Sequence, residues 1–519
     1  MTFITTPTWA LNGNNLSGQD LSDGASISGT HHNYVFQNTS TSSIQISLSE
    51  NLSFRYPDPP EQTQAVGIES WGNLTINGTN TNGEVKTLTL SGKAHIVAGS
   101  WSSFADAQSN KVSLTLTNGS FMLFTRAGTE DDGNRSNFNS GGSNPGYSGL
   151  QMGPGAENYG NWTFVGATGD VVVSNSTVWI TTGNGARPVQ FRSIAGNVTM
   201  TDVALTSAGV LYAYGDFSVT NNLSETRNIT LNGQSLTAYT GSVNLQAPTI
   251  SISNGAYASA ETSLTTSGAT LELDNGHLGT HVGSPTDSIT INSTATTVSN
   301  GGGGDAGSID IAGETLKVIG ANSHFNASNK LQITSSDFVE VDGGSLSSSG
   351  TGGVSVTSDS LTMSDGAQVT SSGQSGGVTV TVNTLELTTT ESVEGSQDED
   401  ATHITSLGSV TILAKNGEDL SIQLDQSSEG AEGSWIKGNN VTVGSSDQSG
   451  VTSISGGSIT GGDQTNTGVS IFGGKDSETG LGVVINESTI SAGGNGTVNI
   501  GAADGSQIQI GTEDLDSDR

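Results

Sequence analysis

One short pattern recurs along this chain and restricts its fold more than any bulk property. A run alternating apolar and small polar residues leads into an Asp-Gly or Asn-Gly turn, and a second short run follows. It reads Leu361-Thr362-Met363-Ser364-Asp365-Gly366-Ala367-Gln368-Val369, and earlier Val341-Asp342-Gly343-Gly344-Ser345-Leu346. Ile252-Ser253-Asn254-Gly255-Ala256 and Leu273-Asp274-Asn275-Gly276 are further copies. Asp342 and Asp365 are 23 residues apart, and Asn254 and Asn275 are 21 apart. Leu21-Ser22-Asp23-Gly24 and Ile454-Ser455-Gly456-Gly457 are weaker echoes.

A period of this length, carrying three short strands, matches one coil of a parallel β-helix. Within 361–387 the pattern predicts strands at 361–363, 367–370 and 378–382. Side chains alternate along a strand, so Leu361 and Met363 should share one face, as should Val378, Val380 and Val382. Those faces would stack on the coils before and after them. Gly, Asn and Asp supply the positive-φ corners. The sequence therefore predicts an all-β solenoid, a parallel β-helix with about 20–24 residues per coil. Little in it promises helix, because no long stretch has apolar residues at the 3.6-residue period.

Composition agrees with a thin core. Hydrophobic residues make up 32% of the 519 and charged residues 12%, with 73 Gly and 9 Pro. The rival architecture, an antiparallel sandwich built on two-residue hairpins, would need more large apolar side chains than an aromatic content of 5% supplies. Lys and Arg total 15 against 49 Asp and Glu, a net charge of −34. Such a field repels phosphate backbones, so nucleic acid is not an expected partner. It also keeps a long chain soluble and attracts divalent cations. The absence of cysteine excludes disulfides and thiolate chemistry. Neither a basic-then-apolar leader nor an apolar run long enough to span a bilayer is visible, so no transmembrane segment is expected.

Five segments are distinguishable by composition. Residues 1–100 carry strand-like runs and the rigid Tyr56-Pro57-Asp58-Pro59-Pro60. Residues 101–215 hold much of the aromatic content around a long loop at 127–160. Residues 216–390 are the most regular repeats, 391–450 are acidic and interrupted, and 451–519 resume Gly-rich coils before a polar tail.

The stretches TLELDNGHLGT, FVEVDGGSLSSSGTGGVSVTSDSLTMSDGAQVTSSGQSGGVTVTVNTLEL and GVVINESTISAGGNGTVNI resemble repeats of the filamentous-haemagglutinin-like family. The shared pattern is a strand, "DGA" or "NGA", a β-branched residue, a small polar loop ending Gly-Gly, and a second strand. The likeness is best over about 250–390. It implies a right-handed parallel β-helix on a bacterial surface, acting as an adhesin and exported through an outer-membrane partner. The chain departs from that family in showing neither its leader nor its Asn-rich secretion domain, and no C-terminal membrane barrel is visible.

Several clusters could carry chemistry. Glu130, Asp131 and Asp132 lie in the 127–160 loop with Tyr147 and Tyr159, just before Trp162. The aromatic rings could stack on sugars, and paired carboxylates could act as acid and base on a glycosidic bond; the alternative is a solvated turn. Asp398, Glu399 and Asp400, followed by His403, offer hard oxygen ligands for Ca²⁺ but fit neither the EF-hand nor the tandem GGxGxD pattern. Asp305 in GGGGDAGS is a similar candidate. His31-His32 and His277 with His281 are pairs without the helix that would make them chelate. Gly301–Gly304 lacks the Lys-Ser/Thr of a phosphate cradle.

The expected function is a non-enzymatic adhesin or structural protein at the bacterial cell surface or outside the cell. It presents loops from a rigid scaffold to a host or environmental glycan or a surface receptor, with no cofactor beyond possible Ca²⁺. One alternative is a polysaccharide-active enzyme or phage tailspike, for which Arg126, Arg135, Arg187 and Arg192 would be the place to look. The other is a calcium-dependent surface or matrix scaffold.

Overall fold

Alternation decides which residues go inside. Val378, Val380 and Val382 are buried, as are Leu361 and Met363, while the Thr and Ser residues between them are half-exposed. In the computed structural model these residues form strands Ser360–Ser364, Gln368–Ser371 and Val378–Thr381. The next strand, Thr384–Leu387, lies parallel to the first of the three, with Leu385 beside Leu361. The chain thus returns to its starting ladder after three strands. The structure describes residues 3–4, 19–20, 23–31, 35–38, 40–55, 66–91, 94–99, 104–124, 163–181, 189–279, 286–373, 375–389, 401–425, 433–445, 447–462, 467–475 and 479–511.

The protein is all-β, with mostly parallel strand pairing, and among the described residues it has one short α-helix, Phe104–Ser109, and one 3₁₀ turn, Lys415–Gly417. Two isolated antiparallel bridges occur among them, Thr79 with Val85 and Ile319 with Gly343. None of the described helices is long and apolar enough to cross a membrane. The chain divides into two compact units, Met1–Ala269 with Gly279–Thr286, and Thr270–Leu278 with Asp287–Arg519.

In the second unit three apolar columns run in register. Leu361, Leu385, Ile422, Ile454 and Ile485 succeed one another in one. Val354, Val378, Val410, Val441 and Val469 form the next, and Leu346, Val369, Ile404, Ile436 and Ile459 the third. The recurrence is uneven in length. Ser364 hydrogen-bonds Asp342 across 22 residues, whereas Ser455 reaches Ile422 across 33. Two strands are far longer than the expected short runs. Gly303–Ile319 and His324–Asp342 have 17 and 19 residues, and their pairing carries register shifts at Ala306/Ser308 and Gly313/Thr315. A bulge changes direction without ending the ladder.

In the first unit the corners are tied by a relay of side chains. Asp170 Oδ1 accepts the Asn197 N–H, Asn197 Oδ1 accepts the Asp216 N–H, and Asp216 Oδ1 accepts the Ser242 N–H, each at 2.8 Å. A glycine precedes each donating backbone N–H: Gly196, Gly215 and Gly241. A Cβ on Gly215 would stand 2.2 Å from Asn197 Oδ1, and one on Gly241 would stand 2.4 Å from Asp216 Oδ1. The glycine makes room for the oxygen arriving from the repeat before it. Elsewhere Asn residues hold left-handed corners and bond to their own kind. Asn254 Nδ2 donates to Asn232 at 2.9 Å, and Asn175 Nδ2 to Asn118 at 2.9 Å.

Two glycines of the second unit separate the cost of conformation from the cost of space. Gly320 has φ +87° with nothing near its absent Cβ, whereas Gly353 has φ +66° and a Cβ there would lie 2.1 Å from the Gly377 carbonyl oxygen. Gly320→Ala should cost about 1–2 kcal/mol, the left-handed penalty alone. Gly353→Ala should cost at least about 2 kcal/mol more, because backbone must move. Urea unfolding of the two variants checks this, and equal midpoints would refute it.

Candidate functional site

Each sequence-derived site residue in the loop, Glu130, Asp131, Asp132, Tyr147, Tyr159 and Trp162, lies outside the described residues, as do Asp398, Glu399 and Asp400. Arg126, Arg135, Arg187, His32 and His281 also fall outside them. Three other residues singled out in the sequence, His277, Asp305 and His403, lie on one outward ladder face of the second unit.

That face is assembled by register. Leu346, Val369, Ile404, Ile436 and Ile459 point inward, so the residues on either side of each point outward. Along the first outward line His324 stands beside Ser345, then Gln368, His403, Trp435, Ser458 and Thr489. The second line runs Asn326, Ser347, Thr370, Thr405, Lys437, Thr460 and Ser491. No position from Ser345 to Ser491 on these two lines is acidic.

Two ring clusters punctuate the face. Strand His277–Gly279 pairs with Gly303–Ile319, and Gly303 stands opposite His324. Gly303 has no side chain, and a Cβ there would lie 2.2 Å from the His324 carbonyl oxygen. The imidazoles of His277 and His324 therefore approach across it to 6.1 Å between centroids. His324 Nε2 meets Asp305 Oδ2 at 3.2 Å and Nδ1 meets the Asn322 carbonyl at 2.8 Å. Both partners are acceptors, so only the imidazolium can donate to both. In the second cluster His403 and Trp435 stack face to face, 4.3 Å apart and 1° from parallel. His403 Nδ1 donates to the Ala401 carbonyl at 2.7 Å.

The imidazoles titrate in opposite directions. The Asp305 hydrogen bond raises His324 above the ordinary imidazole range against the opposing effect of burial. Burial, then the charge of His324, lowers His277, and burial lowers His403. Burial pushes the Asp305 carboxyl up, but its hydrogen bond from His324 and that ring's charge carry it below the ordinary carboxylate range. Among the described residues no group of three or more His, Asp or Glu is placed to hold a metal ion.

The first unit carries a different polar row. Strands Val66–Ser70, Ala94–Ala98, Phe164–Ala167 and Gln190–Ser193 are buried on both faces. Within them His95 Nε2 lies 2.9 Å from Glu69 Oε1, and Gln37 Nε2 donates to Glu69 Oε2 at 2.9 Å. Arg192, a basic residue noted in the sequence, is buried too. It donates to Gln190 Oε1 at 3.1 Å and lies 4.5 Å over the Tyr212 ring. Buried polar groups survive when hydrogen-bonded in this way. The row is closed to solvent and reads as structural support.

Sequence reasoning had no short-range signal for His324, Trp435 or the Glu69–His95 pair. Glu69 and His95 are 26 residues apart, and the outward line depends on pairings across comparable or longer separations.

The ion pair predicts a pH response with a defined sign. His324, raised, contributes stability fully present below the ordinary imidazole pKa and lost as pH climbs through its folded value. Asp305, lowered, contributes stability lost as pH falls through its own folded value. His277 and His403, lowered, cost stability as pH drops below the ordinary imidazole range. Histidine-selective NMR should place the His324 midpoint above that range and the other two below it. In Asp305→Asn the His324 midpoint should fall; an unmoved midpoint would show that the carboxylate does not hold the charge.

Comparison with known proteins finds no matching family model, no matching curated protein and no matching solved structure.

Proposed function

We propose that this chain is a right-handed parallel β-helix serving as a non-enzymatic adhesin or structural protein at a bacterial surface. The return after three strands, in parallel and in register, supports the helical path. The hand follows from the general preference of parallel crossovers. The observation that carries the functional reading is that register survives interruption. Between Thr384–Leu387 and His403–Ser406 the sequence inserts the acidic stretch that contains Asp398, Glu399 and Asp400, yet Gln368 still stands beside His403 and Val369 beside Ile404. A second interruption separates Leu420–Leu424 from Trp435–Lys437, and His403 still stands beside Trp435. A scaffold whose repeats lean only on their neighbours accepts insertions at its corners without losing its core, and binding concentrates in such insertions. The resemblance of 250–390 to haemagglutinin-like repeats adds the surface location, the glycan or receptor partner and the export partner.

The test applies the purified chain to surface polysaccharides and reads bound protein and released reducing ends together. Binding without cleavage is expected, and Tyr159→Ala with Trp162→Ala should weaken it by at least tenfold. Release of reducing ends that disappears in Glu130→Gln, Asp131→Asn or Asp132→Asn would replace this reading with an enzyme.

A further inference from the structure

The outward face around Trp435 differs from the rest of this acidic chain, and the difference has a chemical meaning. We infer that the ladder face centred on Trp435 is a binding site for a linear, uncharged glycan, an inference that rests on the adhesin reading and supplies it with a ligand class. Among the described residues the indole stacks on one ring, that of His403. His403 covers one side in near-perfect parallel at 4.3 Å. The ring normal therefore runs along the ladder, and the other face of the indole is turned to Ser458, the next residue in register. A hydroxymethyl group cannot cover an indole. The half-buried ring therefore keeps one apolar face beside a serine, with Thr460 and Lys437 on the second line next to it.

A half-buried ring face beside hydroxyl groups suits a pyranose, which has an apolar face of C–H bonds and an equatorial rim of hydroxyls. Stacking on indole supplies the apolar contact. Ser458, Thr460 and Gln368 donate to and accept from the rim. The ligand is extended because the donors repeat with the strands: from Gln368 to Thr489 the outward line covers four strand steps, about 19 Å at the spacing of paired strands.

Charge selects a neutral chain. The protein carries −34, which repels an anionic polymer, while these two lines carry Lys437 as their only formal charge from Ser345 to Ser491. Burial holds the half-buried His403 toward its neutral form. A protein partner would demand a larger apolar centre than one indole provides.

The experiment titrates the intact chain with cellohexaose and chitohexaose as neutral linear probes and with hexagalacturonate as the anionic one, reading heat and tryptophan emission. At least one neutral hexamer should bind and shift the emission, its dimer at least tenfold more weakly, and hexagalacturonate weakest of all. Trp435→Ala should lower hexamer affinity at least tenfold. Ser458→Trp should do the same by filling the free side of the ring while leaving the His403 stack in place, which keeps the test decisive if removing the indole unfolds the strand. Trp71→Ala, which removes an exposed indole of the first unit, should leave hexamer affinity unchanged. No binding of either neutral hexamer at millimolar concentration, unchanged affinity in both ring-site variants, or tightest binding of hexagalacturonate would each overturn the inference. Attachment to whole surface polysaccharide separates it from the reading beneath it. Attachment that survives Trp435→Ala and Ser458→Trp, with no hexamer bound by the unaltered chain, keeps the adhesin and removes this site. Hexamer binding lost in those variants, with no attachment by the unaltered chain, keeps the site and removes the adhesin.

Discussion

In this protein a residue is buried by its counterpart in the neighbouring repeat. Ile485 and Ile510 share one column and stand side by side, yet Ile485 is 4% exposed and Ile510 64%. The two side chains are chemically identical. What separates them among the described residues is that Ile485 pairs on both sides, with Ile454 and with Ile510, and Ile510 on one. The hydrophobic effect here is therefore paid out one neighbour at a time, and the backbone ladder holds the columns in register so that the exchange can occur. This explains how a chain with only 32% hydrophobic residues folds. A narrow core reused along its length needs few large side chains.

Register has to be defended at the corners, because a slip of one residue would turn every inward side chain outward. The relay from Asp170 through Asn197 and Asp216 to Ser242 supplies that defence locally. Each side chain recognises one particular N–H in the next repeat, and the glycine before that N–H admits it. The same residues place carboxylates at corners. Acidity and register are thus linked in the first unit: part of the negative charge is there to hold backbone.

Much of the ladder was legible because its code is local. Val378, Val380 and Val382 alternate within five residues, and Asp365-Gly366 announces its own left-handed turn, with φ of +53° and +77°. The long strands Gly303–Ile319 and His324–Asp342 were not legible, because bulges at Ala306/Ser308 and Gly313/Thr315 bend the chain without any residue that must break a strand. The outward face was illegible for a different reason. His403 and Trp435 are joined by a pairing that spans an interruption, so their contact depends on how the insertion is accommodated. His277 illustrates the limit. Its spacing to His281 offered no chelating geometry in the sequence, and register brings it to His324, with Gly303 standing between.

That same independence of repeats separates stability from recognition in the second unit. The inward lines must stay apolar and β-branched, since each covers the next. The outward lines between Ser345 and Ser491 are free of this demand, and Ser or Thr satisfies a strand there at no cost to the core. An indole on such a line is not required by packing: Ser345, Gln368, His403 and Ser458 occupy equivalent places without it. Among the described residues only His403 stacks against Trp435, and two rings pressed together on the outside of a ladder contribute little that the inward columns do not already provide. A large aromatic residue at a position where serine suffices has a stronger explanation in what it contacts outside the chain than in what it contacts within.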